Sequence, residues 1–459
     1  MITTKKKDNL LEWFVETLKK SEFIEETSVP GSIVHMENLV SVWEQIQKFL
    51  DCELKSMGYN NMYFPLFIPE SLMKKEKEHY RVFSSELARI THIGEKKLKE
   101  SLVIRPTSEI IMYDSIKKSL DHHHKLPFLL NQFCSVVRWE TRKKNVPLLR
   151  GNEFLWQESH SAHTTEKEMR SFVKKILRLY KILMINQLAL PYFEGFKPGH
   201  RKFPGAIETF ALESIMPDGK SVQMATSHDL GQTFSKALKI KFTNNKGKKE
   251  LVWQSSNGCT TRLIGGLLMM HGDDYGFVLP PNIAGHQIVF LNNTEKKLID
   301  KLNNNGIRAR AIGWRNLNAQ EKRSFALAKG FPLIVLRESE GNLVILRRDT
   351  LQELTVSKSG LVDFAKKELN KIQQILLKNA LKMTKAKTFS PKSKKEFEER
   401  LLNNEGMVLA NWCGNRQCSR NIKEKTRGSL RIVPNKKASG KCIYCTKKAR
   451  HKAFFAEAY

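Results

Sequence analysis

No stretch of this 459-residue chain is apolar for long enough to cross a bilayer as a helix. The two familiar nucleotide loops are also missing: there is no Gly-x-x-x-x-Gly-Lys, and no Gly-x-Gly-x-x-Gly after a strand. No Ser–His or Cys–His arrangement announces an enzyme with its own nucleophile. Internal repeats and long disordered tracts are lacking. The first twenty residues have neither the apolar core of a secretory signal nor the acid-poor character of a transit peptide. They are basic at Lys5–Lys7, then carry Asp8, Glu12 and Glu16 among Leu10, Leu11, Phe14 and Leu18, the pattern of an amphipathic helix. A cytoplasmic location is the expectation. Cysteine is sparse and odd in number, seven in all, which argues against a disulfide framework.

What is abundant is positive charge: 78 Lys and Arg against 47 Asp and Glu, a formal net charge of +31. Part of this fits a lysine-rich composition spread over solvated faces, and part fits a polyanionic partner drawn in by the field. Charge alone does not separate tRNA from rRNA, DNA or a membrane surface. The length calls for about three domains.

Periodicity gives the coarse layout. A helix is expected over Leu39–Leu54 with Gly58 at its C-terminal cap, then an extended run Asn61-Met-Tyr-Phe-Pro-Leu-Phe-Ile-Pro69. Pro65 places that run at an edge or an interface. Strands Phe133–Glu140 and Glu153–His160 form a long hairpin whose loop carries Arg142, Lys143, Lys144 and Arg150. Thr165 and Glu168 open a helix with Met169, Phe172, Ile176, Leu179 and Leu183 on one face. A strand at Ser221–Ala225, a helix through Gln232–Ile240, an extended Trp253–Ser256 and a helix over Thr260–His271 follow. After Pro280-Pro281 comes an α/β alternation: strands His286–Leu291, Arg308–Gly313, Pro332–Leu336 and one ending at Arg347, with helices Thr294–Asn304 and Leu361–Leu381. The lysine-rich Lys382–Lys395 then leads to a small tail. The expected domains are 1–280, 281–383 and 384–459.

Two constellations carry chemistry. Cys413, Cys418, Cys442 and Cys445 form two close pairs on two loops, the spacing that supplies Zn²⁺ with four thiolates and leaves no open position. Such a metal is structural. The second is a set of arginines: Arg138 in Val-Val-Arg-Trp, with Glu140, Arg150 and Arg262. Flanked by apolar residues, Arg138 must be paired or must bind a ligand, and planar guanidinium groups suit a triphosphate. The run His122-His123-His124 reads as a solvated turn.

The motifs Arg105-Pro-Thr-Ser-Glu109, Ser135-Val-Val-Arg138-Trp-Glu140 and Glu153-Phe-Leu-Trp-Gln-Glu-Ser-His160 resemble the second signature region of class II prolyl-tRNA synthetases. Ala225-Thr-Ser-His228-Asp-Leu-Gly-Gln and Thr261-Arg262-Leu-Ile-Gly-Gly resemble the third, and the segment ending in Pro65 resembles the first, which in that class builds a dimer interface. The likeness spans nearly the whole chain and is greatest to the archaeal and eukaryotic-cytosolic type, with its zinc tail and terminal tyrosine, here Tyr459. It implies an α+β protein: a class II antiparallel sheet flanked by helices, an α/β anticodon-binding domain and a small zinc-binding C-terminal domain. It also implies a homodimer acting on L-proline, ATP and tRNA(Pro) with Mg²⁺. Thr107, Glu109, Arg138 and His228 would hold proline, with Phe210, Trp156 and His160 walling the ring. Arg138, Glu140, Arg150, Gly151, Gln223, Thr226, Thr260 and Arg262 would hold ATP, and Arg138 and Arg262 would be the catalytic pair.

The chain departs from the family at Asn257, where Trp is common, and at Gly151 and Asn152; the anticodon-type domain matches loosely. Only about sixty residues lie between His160 and Gln223, too few for the editing insertion of bacterial-type relatives. Two other readings stay open: a catalytically silent relative that binds tRNA or acts as a scaffold, and a zinc-containing ribonucleoprotein component. The latter leaves the arginine set unexplained.

Overall fold

The computed structural model describes residues 2–121, 126–139, 145–292, 296–314 and 316–459. His122–His124 lie outside the described residues, as do Glu140, Arg142, Lys143 and Lys144. At the centre is a seven-stranded sheet built from β1 (Asn60–Asn61), β2 (Phe128–Val137), β3 (Glu153–His163), β4 (Phe193–Phe196), β5 (Glu208–Ile215), β6 (Ser221–Gly231) and β7 (Trp253–Thr260), in the order β1-β2-β3-β7-β6-β5-β4. Every pairing is antiparallel except the short β1 on β2. Strand alternation gives the sheet two chemically different faces. One carries Gln157, Ser159 and Ser227 toward helices; the other carries Trp156, Glu158, His160 and His228 toward an open cavity.

Helices α1 (Leu10–Lys20), α2 (Glu37–Ser56), α3 (Glu109–Asp121), α4 (Glu166–Ile182) and α5 (Arg262–His271) pack around it. The side chains of α2 at Leu39, Val42, Ile46, Leu50 and Leu54 are buried as their spacing requires, each contributing roughly 1.5–3 kcal/mol. Gly58 follows with φ +91 and donates to the Lys55 carbonyl at 2.9 Å. Pro65 falls between β1, at the sheet edge, and the short strand Phe67–Pro69; Met62, Tyr63 and Phe67 beside it are exposed. The hairpin is longer than expected on the β3 side, to His163. Thr165 Oγ1 accepts the Glu168 N–H at 3.2 Å to start α4, which passes into one π turn, Leu183–Gln187. Between His160 and Gln223 the chain is taken up by α4, that turn, β4 and β5.

Beyond Pro281 a mixed five-stranded sheet forms, ordered Ala309–Ala311, Ile288–Phe290, Leu333–Ser339, Asn342–Arg347 and Glu353–Ser357. Two of its parts lack an expected counterpart: the last strand and helix Ala319–Lys329. That helix has a capping box at Asn318 and Glu321, but it buries only Ala326, Leu327, Ala328 and Lys329, so no apolar stripe marks it. Fully buried Arg348 ties this sheet to the first unit through Asp273, at 2.6 and 2.7 Å. The long helix Leu361–Ala386 extends into the lysine-rich stretch and leads to a four-stranded tail sheet, Thr388–Phe389, Met407–Trp412, His451–Ala456 and Ser429–Ile432. The tail covers the exposed edge of β4: Phe196 pairs with Val433, and a Cβ on Gly195 would meet the Val433 oxygen at 2.6 Å. Glycine is required by that closeness.

Candidate active site

A cavity of about 720 Å³ opens on the polar face of the central sheet. Glu109, Arg138, Arg150, Gly151, Gln223, Thr226, His228, Thr260 and Arg262 line it. Thr107 stands behind them, its hydroxyl donating to the Glu109 carboxylate. Glu140 lies outside the described residues.

The floor is a network centred on Glu158. Glu158, 1% exposed, accepts from Ser108 Oγ at 2.5 Å, Gln132 Nε2 at 2.6 Å and the Ser108 N–H at 3.2 Å, and its Oε2 is 3.2 Å from His160 Nε2. Burial opposes its charge, but the bond and charge of His160 and the Ser108 and Gln132 donors hold the carboxyl below the ordinary carboxylate value. For His160 burial likewise opposes the cation, while Glu158 and Glu109 raise its pKa above the ordinary imidazole value. His160 Nδ1 is buried without a protein partner among the described residues. His228 is different. Burial, with His160 and Arg138 nearby, pushes it down to about 3, so it is neutral. Its Nδ1 is 3.0 Å from Thr209 Oγ1 and its ring stacks on Phe203, centroids 4.6 Å apart and tilted 32°.

The mouth is cationic. Arg138 follows the last residue of β2; its Nε donates to the Pro106 carbonyl at 2.8 Å, and its guanidinium lies 5.1–5.6 Å from the Phe83, Phe154 and Trp156 rings. Arg262 starts α5, held by Nε to the Leu149 carbonyl at 3.0 Å and Nη1 to the Gln223 carbonyl at 3.4 Å. Burial first, then Arg150 and Arg138, lowers its pKa to about 10. Arg150 donates to the main-chain oxygen of Tyr459 at 2.7 Å, which brings the tail to the cavity. Tyr459 is fixed in turn by its hydroxyl to Asp218 at 2.5 Å, and Ser221 at the start of β6 donates to the Glu457 carbonyl at 2.8 Å.

Behind this mouth Glu213 is fully buried between Lys197 and Arg431, the latter at 2.8 Å. Burial alone would raise the Glu213 pKa, yet the two cations pull it down to about 2; Lys197 falls to about 8, burial outweighing Glu213. Within the tail, Cys413, Cys418, Cys442 and Cys445 place their Sγ atoms within 4.8 Å of one another, with 3.9 Å between Cys418 and Cys442 and 3.6 Å between Cys413 and Cys445. Four sulfurs ~2.3 Å from a tetrahedral zinc ion would be about 3.8 Å apart. The set fits zinc and is too open for disulfides.

Trp156 and His160 line the cavity, but Phe210 does not. It pairs with Ser227 in the β5–β6 register and packs into the helix-side core, while its neighbour Thr209 faces His228. Phe203 is the aromatic ring at that wall; its signal was the Pro-, Gly- and Arg-bearing loop Lys197–Gly205 between two strands. Asn257 is also on the helix side, its side chain bonded to Ser227 Oγ at 2.5 Å and Ser159 Oγ at 3.3 Å, so its polar groups are satisfied away from the floor. A Cβ at Gly151 would meet the Gly31 and Glu153 carbonyls at 3.3 Å, and Asn152 Nδ2 binds the Pro30 carbonyl at 2.9 Å. The loop around Gly31 thus presses on this turn.

Residues 90–271 match the family described as tRNA synthetase class II core domain (G, H, P, S and T), and residues 395–459 match Prolyl-tRNA synthetase, C-terminal. The chain is 38% identical over 469 residues to the proline–tRNA ligase of Ruminiclostridium cellulolyticum, covering 99% of this chain and 98% of that one. It is 38% identical to that of Acetoanaerobium sticklandii, covering 98% and 96%, and 37% identical to that of Chlorobium phaeobacteroides, covering 100% and 99%.

Proposed function

Because this chain belongs to the proline–tRNA ligases, which are class II aminoacyl-tRNA synthetases, we propose that its cavity activates L-proline with ATP and passes the prolyl group to tRNA(Pro). The observation that carries this is one cavity holding Glu109, a neutral His228, Arg138 and Arg262 together. Glu109 offers a desolvated carboxylate to the secondary ammonium of proline, and His228 stacked on Phe203 packs against the ring. Arg138 grips both the amino-acid carboxylate and the α-phosphate; Arg150, Gly151, Gln223, Thr226, Thr260 and Arg262 take the rest of the nucleotide, with Glu140 assigned there on the family's pattern. The proline carboxylate attacks the α-phosphorus in line and pyrophosphate departs, after which the tRNA terminal hydroxyl displaces AMP. No enzyme nucleophile is needed: positioning and fixed positive charge do the chemistry. Mg²⁺ adds neutralising charge at the triphosphate when bound.

The four tail cysteines hold a structural Zn²⁺, and the exposed Met62, Tyr63 and Phe67 beside Pro65 belong to a homodimer interface. The three parts 1–280, 281–383 and 384–459 serve catalysis, anticodon binding and closure of the site. The zinc tail and the packed Tyr459 favour the archaeal and eukaryotic-cytosolic plan as an architecture, although the relatives named above are bacterial. A cytoplasmic location agrees with the lack, among the described residues, of any helix long and apolar enough to cross a membrane. The silent-relative reading is disfavoured by the assembled arginine set. ATP–pyrophosphate exchange across the amino acids tests the function: proline alone should drive it strongly, and no exchange with proline would overturn it. Metal analysis should give one zinc per chain, lost in Cys442→Ser.

A further inference from the structure

Next to the main cavity lies a second of about 340 Å³, between the catalytic sheet and the tail. Arg150, Arg201 and Arg262 reach it from the sheet side, and Lys423, Arg427 and Arg431 from the tail. Their compensation is uneven. Arg431 is paired with Glu213. Arg262 donates to the carbonyls of Leu149 and Gln223 and Arg201 to that of Leu430, which are dipoles rather than charges. The side chains of Lys423 and Arg427 make no hydrogen bond or ion pair among the described residues. Of the oxygens on the wall, the Glu457 carboxylate is 3.6 Å from Lys220 and the Tyr459 main-chain oxygen accepts from Arg150 at 2.7 Å. Crowding is felt by the half-buried members: desolvation first and neighbouring arginines second bring both Arg201 and Arg262 down to about 10. A cationic cluster in which Lys423 and Arg427 are unmatched favours a compact multivalent anion, which satisfies several members at once with charge-assisted bonds. The two cavities share Leu149, Arg150, Arg201, Gln223 and Arg262, so three arginines stand where they adjoin.

We propose that the second cavity is a pyrophosphate site, in which Lys423 and Arg427 of the tail receive the inorganic pyrophosphate released by adenylation. The inference rests on the adenylation reading of the main cavity. In that step a bond forms from the proline carboxylate oxygen to the α-phosphorus. The bond from the α-phosphorus to the bridging oxygen breaks, and its electron pair leaves with pyrophosphate. The product is created beside Arg262 with the second cavity adjoining, and the tail cations then hold it while the adenylate stays behind. The tail is thereby part of the reaction's outlet as well as a structural cover.

The test titrates inorganic pyrophosphate calorimetrically into the full-length protein and into the double variant Lys423→Ala/Arg427→Ala. Parallel titrations use inorganic phosphate and a non-hydrolysable ATP analogue. Pyrophosphate binding should weaken about tenfold or more in the variant, inorganic phosphate should bind more weakly than pyrophosphate to both proteins, and the analogue should be unaffected. In the exchange reaction the KM for pyrophosphate should rise while that for proline stays unchanged. Both side chains are exposed, so zinc content and the thermal midpoint should be preserved, and Lys423→Arg should bind normally. Unchanged pyrophosphate binding in the double variant would overturn the proposal. An equal loss for the ATP analogue would assign these residues to the nucleotide site instead, and a raised KM for tRNA alone would assign them to a nucleic-acid backbone. If the unmodified protein shows no proline-dependent exchange, the adenylation reading fails, while the titration still judges the cavity on its own.

Discussion

The floor and the mouth of the cavity are made from the same few strands, yet they treat charge in opposite ways. On the floor, Glu158 has Ser108, Gln132 and His160 around it, and the neighbouring His228 is kept neutral. At the mouth, Arg201 and Arg262 are half-buried against carbonyl groups, with further arginines close by. A satisfied polar network is stiff and defines a shape, because each deletion leaves a buried group unpaired. An under-compensated cationic cluster is ready for an anionic ligand and gains when it arrives. On the proposed reading, the floor recognises the small ammonium ring and the mouth takes the phosphates.

This contrast can be broken at several points. The largest effect is expected from Glu213→Ala, which leaves Lys197 and Arg431 buried without their shared carboxylate. A loss of roughly 3–5 kcal/mol in the docking of the tail should follow, measured by urea unfolding and limited proteolysis; an undiminished midpoint would contradict the pairing. Next comes Arg138→Ala, expected to slow proline-dependent exchange about a hundredfold to a thousandfold with little change in thermal stability. Normal exchange would remove Arg138 from the phosphate site.

The Glu158–His160 pair gives a pH signature. The folded Glu158 pKa lies below 4.5, so its contribution is present above 4.5 and lost as pH falls through the depressed value. The folded His160 pKa lies above 6.5, so its contribution is full below 6.5 and lost as pH rises through the raised value. The difference in unfolding free energy between the unmodified protein and Glu158→Gln, measured by urea titration across pH, should thus be greatest between pH 4.5 and 6.5, at roughly 1.5–3 kcal/mol for a charge-assisted bond. A pH-independent difference would show that the pair is not charged.

Selectivity on the floor should be smaller again. A missing methylene loses only ~1–3 kcal/mol, so alanine or cysteine should be activated weakly, and preformed alanyl-tRNA for proline should not be hydrolysed by this chain. Rapid enzyme-dependent deacylation would reveal an editing site. The smallest effect is expected from Arg310→Ala, whose exposed partner is Glu37: below ~1 kcal/mol, and near zero in high salt.

What could be read in advance follows from how local each signal is. The cysteine pairs, the cap at Thr165 and the apolar rows of α2 and α4 depend on neighbours within a few turns, and they occur close to where the pattern places them. That Arg138 stands on a cavity wall was legible because a charge among apolar residues must be paired or face a ligand. The β5 wall was not: a choice between Thr209 and Phe210 is a choice of strand face, and one residue of register reverses it. The bulge between Leu212 and Glu213 makes that register harder to extrapolate. Arg201, Arg431 and Tyr459 gave no local sign of converging, since only the docked tail brings them together. Helix Ala319–Lys329 was missed for want of an apolar stripe, although its cap residues were in plain sight.

The bond between Arg431 and Glu213 joins residues 218 positions apart, and that separation has a consequence for the order of assembly. Closing so long a loop must be met by entropy lost before the contact is made, whereas β5 and β6 are adjacent hairpin partners that can zip early. The catalytic sheet should therefore form first, with its β4 edge uncovered and Glu213 solvated. The tail arrives later and seals both in one docking event. Until then the chain would have a recognisable floor without a finished mouth, so competence for the reaction is acquired as a late kinetic step in maturation.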